Sequence, residues 1–322
     1  MLTKLSKYAT RTHQSVIDAQ IFHLKKNRLR GDNATRWSSA FLLLTCFQKA
    51  YKKGIFTQTN PCTVSQAEIE FYIELLLPAY RFTLLHQRNI AQIGEVIPSV
   101  NLIIKKYEQF AKNDKKKKPF CEALIKHIKI KFDYELNSNI YAVAAYLDST
   151  QISEWSNKSF ATELKQKARN ALPDIANEML LTRDESVSVA STPKDLTQKS
   201  ENENLFSNYF DLSDSDSDIA PDMSNKMIKL KEEIDRYNII VNNPVKEKTS
   251  KIFWQNNAKA MPLLNELALT LLNIPSSSSF IERFFSVCGI VNRQRAGNMN
   301  DSTLINRAFL KANLDILDKI ND

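Results

Sequence analysis

Glycine is scarce: 322 residues contain only five. So few residues suited to tight left-handed turns, together with little alternation of β-branched side chains, argue against a sheet protein and for an all-α body. Cysteine is equally sparse. Cys46, Cys62, Cys121 and Cys288 lie far apart, with no metal-ligand spacing, which predicts a reduced, intracellular chain. The histidines His13, His23, His86 and His127 share no zinc spacing either and are expected as surface or half-buried helix residues. No metal site is expected from these residues. No apolar run approaches the ~20 residues of a membrane span, and Lys4, Lys7 and Arg11 interrupt the segment after Met1, so neither a membrane partner nor a signal peptide is expected.

Charge is plentiful and unevenly placed. The net charge is +8, yet residues 184–223 hold ten acidic residues against Lys194 and Lys199, so the rest of the chain carries 42 basic against 26 acidic residues. A basic body with an acidic insert suits either nucleic-acid phosphates or a solvated helical surface. Within the insert, Asp211-Leu-Ser-Asp-Ser-Asp-Ser-Asp218 is too polar to offset its ordering entropy by burial. Disorder is the expectation there. Ser213, Ser215 and Ser217, each followed by aspartate, suit acidophilic kinases, which would deepen the negative charge.

Periodicity divides the remainder. Residues 1–32 read as a basic N-terminal helix with an apolar stripe of Val16, Ile17, Ile21 and Leu24, running into Lys25-Lys-Asn-Arg-Leu-Arg30. Residues 33–183 form a helical body, with helices expected over 41–51, 65–80, 82–112 (one or two), 120–134, 140–147, 159–172 and 174–181, Pro173 separating the last pair. Leu75, Leu84, Leu85, Ile90, Ile93, Ile97, Leu102 and Ile103 are expected on buried faces. Residues 184–224 are the acidic linker, and 225–322 a final helical region.

That region carries the most informative stretch. Pro262 suits a first helical turn, and Leu263, Leu264, Leu267, Ala268, Leu271 and Leu272 make an apolar stripe that Asn273 and Pro275 terminate. A serine run follows, then Ser279-Phe-Ile-Glu282, a capping-box pattern, and then Arg283-Phe284-Phe285. Leu304, Ala308, Leu310, Leu314 and Leu317 suggest a last helix with a buried face.

Ile274-Pro-Ser-Ser-Ser-Ser-Phe-Ile-Glu-Arg-Phe-Phe-Ser286, with Thr35-Arg36-Trp37-Ser38-Ser39 far upstream, resembles the two best-marked segments of the hAT superfamily of DNA transposases, in order and approximate separation. Tyr141-Ala-Val-Ala-Ala-Tyr-Leu-Asp148 is similar to that family's Ala-rich run, although it continues Leu-Asp-Ser-Thr where the family has Leu-Asp-Pro. The resemblance spans roughly residues 33–318. It implies a mainly α chain: a helical insertion-type domain, then a C-terminal helical fragment of a ribonuclease-H-like transposase core bearing the dimerisation region.

The resemblance also implies roles. Glu282 corresponds to the third acid of a two-metal site, and Arg36 with Trp37 to the pair that holds and stacks a flipped base, with Arg283 beside them on nucleic acid. A hydrophobic anchor for Trp37 and a capping or ion-pair role for Arg36 are the alternatives. Two metals need three acids. The family's aspartates precede its Arg-Trp segment, whereas only Asp18 and Asp32 precede Arg36 here, with no Cys-x-x-His motif. Glu282 is thus expected to stand alone, with no cofactor, Mg²⁺ entering only if a complete site exists. The expected function is a truncated or co-opted, nuclear hAT-derived protein that self-associates through Leu267, Leu271, Phe284 and Phe285. DNA binding through the basic body, and the C-terminal half of an active metal-dependent transposase, are the alternatives.

Overall fold

The computed structural model describes residues 1–30, 38–56, 61–88, 90–187, 221–243, 245, 247–291 and 300–313, and every regular element among them is a helix. The mainly α expectation holds. Two compact units are formed, Met1–Asn137 with Pro275–Asp322, and Ser138–Ile274. The chain therefore leaves the first unit and returns to it, so the regions 33–183 and 225–322 read from composition are each shared between both. Of the acidic linker, residues 184–187 end one helix and 221–224 begin another; the rest, with the three serines, lies outside the described residues.

The first unit opens with α1 (Leu2–Gln14), α2 (Val16–Leu24) and α3 (Ser38–Lys52). The single helix expected over 1–32 is two. Ser15 takes an extended backbone and its hydroxyl accepts the Asp18 N–H, capping α2 at 3.2 Å. The stripe on α2 does not face the core either: Val16 is 82% exposed and Leu24 72%, while Phe22 is buried. Phe22 wins because Phe56 offers it a ring at 6.1 Å, in a cluster that Tyr8, Phe47 and Tyr51 complete. Leu5, Leu43, Leu44 and Ile69 pack around that cluster.

Next come α4 (Gln66–His86), a 3₁₀ turn at Ile93–Glu95, α5 (Val96–Asn113), α6 (Lys118–Lys131) and α7 (Asp133–Asn137). Helix α4 runs through the break expected at 80–82 and through Pro78, whose missing N–H leaves the Glu74 carbonyl without its intrahelical donor. Packing offsets that cost. Leu75 joins Ile103, Tyr107 and Cys121 in a second core flanked by Phe71, Tyr72 and Phe82. Lys117, almost buried, closes one end: its ammonium meets Glu74 at 2.6 Å and Asp114 at 3.5 Å and lies 5.4 Å from the centre of the Phe110 ring. Leu84, Ile90 and Leu102, expected inside, are exposed.

The second unit is built on α8 (Asn139–Leu147), which is apolar on every side, with Ala142 to Leu147 all buried. Around it lie α9 (Ile152–Trp155), α10 (Ala161–Val187), α11 (Pro221–Val241), α12 (Ser250–Asn257) and α13 (Pro262–Leu272). Pro173 does not separate two helices; α10 passes through it, with Leu172 and Ala176 buried on either side. The carbonyls at the end of α8 find partners elsewhere in the unit: Tyr237 donates to Tyr146 O at 2.7 Å and Trp254 Nε1 to Leu147 O at 2.9 Å. Asp148 follows, buried, accepting from Ser250 Oγ, Thr150 Oγ1 and the Gln151 N–H. Burial raises its carboxyl above the usual range, while those donors oppose the shift. The chain then returns to the first unit with α14 (Ser279–Val291) and α15 (Asp301–Ala312), which pack on each other.

Candidate functional site

The serine run lies against the end of α4, a helix terminus whose last carbonyls need donors. Ser277 Oγ donates to His86 O at 2.6 Å and Arg283 Nη1 to Gln87 O at 2.8 Å, while the Ser276 N–H donates to Ala91 O at 3.0 Å. Beside them Gln92 and Pro275 form an isolated antiparallel bridge. Arg283, expected on nucleic acid, therefore directs one guanidinium N–H at its own chain. The Ser-rich–Glu-Arg segment acts here as a cap supplied from almost 200 residues away.

His86 organises the joint. It is 7% exposed, not the surface or half-buried residue expected. Ser99 Oγ donates to Glu95 O at 2.6 Å, so it accepts from His86 Nε2 at 2.8 Å. That assignment from the network leaves Nδ1 as the acceptor for the Ser276 hydroxyl at 2.9 Å. Burial, aided by the charge of Arg88, lowers the His86 pKa to about 4 and holds the imidazole neutral. Spacing could not reveal this residue, because one of its partners is 190 positions distant.

Glu282 sits in the first turn of α14, exposed, and accepts from Ser278 Oγ at 3.1 Å. This is a side-chain pair four residues apart rather than the backbone capping box expected between Ser279 and Glu282. No group of three His, Cys, Asp or Glu side chains able to hold a metal occurs among the described residues. Asp18 is in the first turn of α2; Asp32, Arg36 and Trp37 lie outside the described residues.

The residues expected at a dimer contact separate into two groups. Leu267 and Leu271 are buried in the core of the second unit, already packed within the chain. Phe284 is half-buried against Phe285, ring centres 5.8 Å apart, and Phe285 stands out at 66% exposure. Ile281 joins it one turn before, and Ile305 and Phe309 repeat the four-residue spacing on α15, all more than half exposed. Each of the paired helices thus carries exposed apolar side chains, and Ile281, Ile305 and Phe309 were not singled out by sequence. Their i, i+4 spacing was the available signal, but periodicity does not distinguish a core face from an outer one.

A polar groove of about 570 Å³ opens elsewhere in the first unit, lined by His13, Lys26, Arg28, Arg30 and Lys49, with no carboxylate among the described lining residues. Its wall is fixed by Asn27 Nδ2 donating to Cys46 O, Lys53 Nζ donating to Lys25 O, and a hydrogen bond of His13 Nε2 with Leu29 O. No helix among the described residues is long and apolar enough to cross a membrane. No family model matches the chain, and no curated protein matches it either.

Proposed function

We propose that this chain is a nuclear, hAT-transposase-derived interaction protein, without a complete metal-binding triad, whose activity is self-association through α14 and α15. The exposed apolar face of Ile281, Phe285, Ile305 and Phe309 carries the reading. Fully burying such a side chain contributes about 1.5–3 kcal/mol. The four side chains are already partly covered, at 53–66% exposure, so covering one set contributes about 4–7 kcal/mol, near the lower end of the about 4–15 kcal/mol cost of association, whereas two equivalent faces meeting contribute about twice that. A second copy supplies that second face, in the twofold arrangement commonest among homo-oligomers. The sequence resemblance assigns this pair to the C-terminal helices of a ribonuclease-H-like core. Light scattering after size exclusion at tens of micromolar is expected to give about twice the chain mass of 36.9 kDa, unchanged by EDTA. A mass of one chain at that concentration overturns the proposal.

A second reading is DNA binding on the basic groove, favoured by Lys26, Arg28, Arg30 and Lys49 lining it with no acid among the described lining residues. Four phosphate contacts predict a log–log salt slope of about −3.6 on duplex DNA. Binding that ignores salt excludes this groove as the contact.

A further inference from the structure

An open groove of about 740 Å³ runs between α4 and α5 in the first unit. Its lining on α4 recurs at positions 74, 77, 78, 81, 82 and 85 and on α5 at 99, 102, 103, 106 and 110, one face of each helix. The floor is apolar, built by Leu77, Phe82, Leu85, Leu102, Ile103 and Phe110. Leu102 is 40% exposed on it, which explains why a residue patterned for a core lies open.

Two of the three charged side chains described in the lining of this groove are basic. Arg81 and Lys106 line it, and neither is within 4.0 Å of a carboxylate among the described residues; Lys106 lies over the Phe110 ring at 4.9 Å. Glu74, the lone acid of the lining, is held by Lys117 at 2.6 Å.

We propose that this groove is a docking site for an acidic amphipathic helix of a partner protein. The two walls run side by side for twelve positions of α4, or about 16 Å of helix, enough for three turns of a third helix to lie between them. Such a helix would place leucine-type side chains at i, i+3 or i+4, and i+7 on the floor and carboxylates on its flank beside Arg81 and Lys106. The volume also falls in the range of small-molecule pockets, but an open trough whose lining hydroxyl, Ser99, is already bonded to Glu95 O and His86 suits an elongated apolar ridge better. This site is separate from the α14–α15 face, and neither proposal depends on the other.

The test uses the full chain and a labelled synthetic peptide of three helical turns, leucine at the i, i+4, i+7 positions and glutamate flanking, read by fluorescence anisotropy. Saturable binding in the micromolar range is expected, weakened about tenfold or more by Arg81→Glu with Lys106→Glu, as charge reversal at a rim produces repulsion. Both side chains are exposed, so the double variant should keep the wild-type thermal midpoint. Leu102→Asp, also at an exposed position, should abolish binding by charging the floor. The proposal is overturned if the peptide fails to bind at 1 mM, if a lysine-flanked peptide binds equally well, or if laurate saturates the groove while the glutamate peptide does not.

Discussion

Two helix ends are finished in opposite ways. The carbonyls closing α8 are met by a tyrosine hydroxyl and an indole N–H from within a buried aromatic cluster, Tyr237 stacking on Trp254 at 5.0 Å. Those closing α4 are met by serine and arginine, short or flexible donors on a half-exposed loop. The α8 node gains apolar burial with each hydrogen bond; the α4 node gains little beyond the bonds themselves. A hydrogen bond nets about 1 kcal/mol, a buried aromatic several times that. The segment carrying the family resemblance is thus the weaker anchor of the two, and its sequence character reflects capping geometry as much as chemistry.

The sharpest way to break this contrast is Trp254→Ala, which removes both the packing and the donor to Leu147 O and should cost about 3–5 kcal/mol in urea unfolding. An effect below 1 kcal/mol would erase the distinction between the nodes. His86 comes next. Its folded pKa, near 4, lies below the ordinary 6.5, so its contribution is complete above pH 6.5. As pH falls from 6.5 towards 4 the unfolded chain binds the proton first, and about 2–3 kcal/mol should be lost. His86→Gln should flatten that window, whatever it does to stability at pH 7. Ser277→Ala removes one neutral donor at the α4 end and should cost about 1 kcal/mol. Glu282→Gln, at an exposed carboxylate, should stay within about 0.5 kcal/mol.

Much of the helical content was legible, because scarce glycine and 3–4 residue periodicity are local properties. What failed was non-local. Pro173 read as a breaker and residues 80–82 as a gap between helices, yet α10 and α4 run through them, with Leu172 and Leu75 held in cores assembled from distant helices. The α2 stripe read as a buried face, but the single aromatic Phe22 found a better partner in Phe56. The return of residues 275–313 to the first unit rests on Ser276, Ser277 and Arg283 meeting residues 86–91, and no composition shift marks it. In the candidate site, Glu282 and Phe285 were the residues that the sequence pattern singled out. His86 was not, since its role depends on hydroxyls that look unremarkable in sequence.

The central claim is that α14 and α15 present their apolar face to a second copy. Sedimentation equilibrium of the wild-type chain beside Phe285→Glu with Phe309→Glu tests it most directly, because both side chains are exposed and the substitutions leave the described cores intact. The account predicts a wild-type dimer, a monomeric double variant and thermal midpoints within a few degrees of each other. Equal association of both proteins, or a wild-type monomer across the micromolar range, would contradict it.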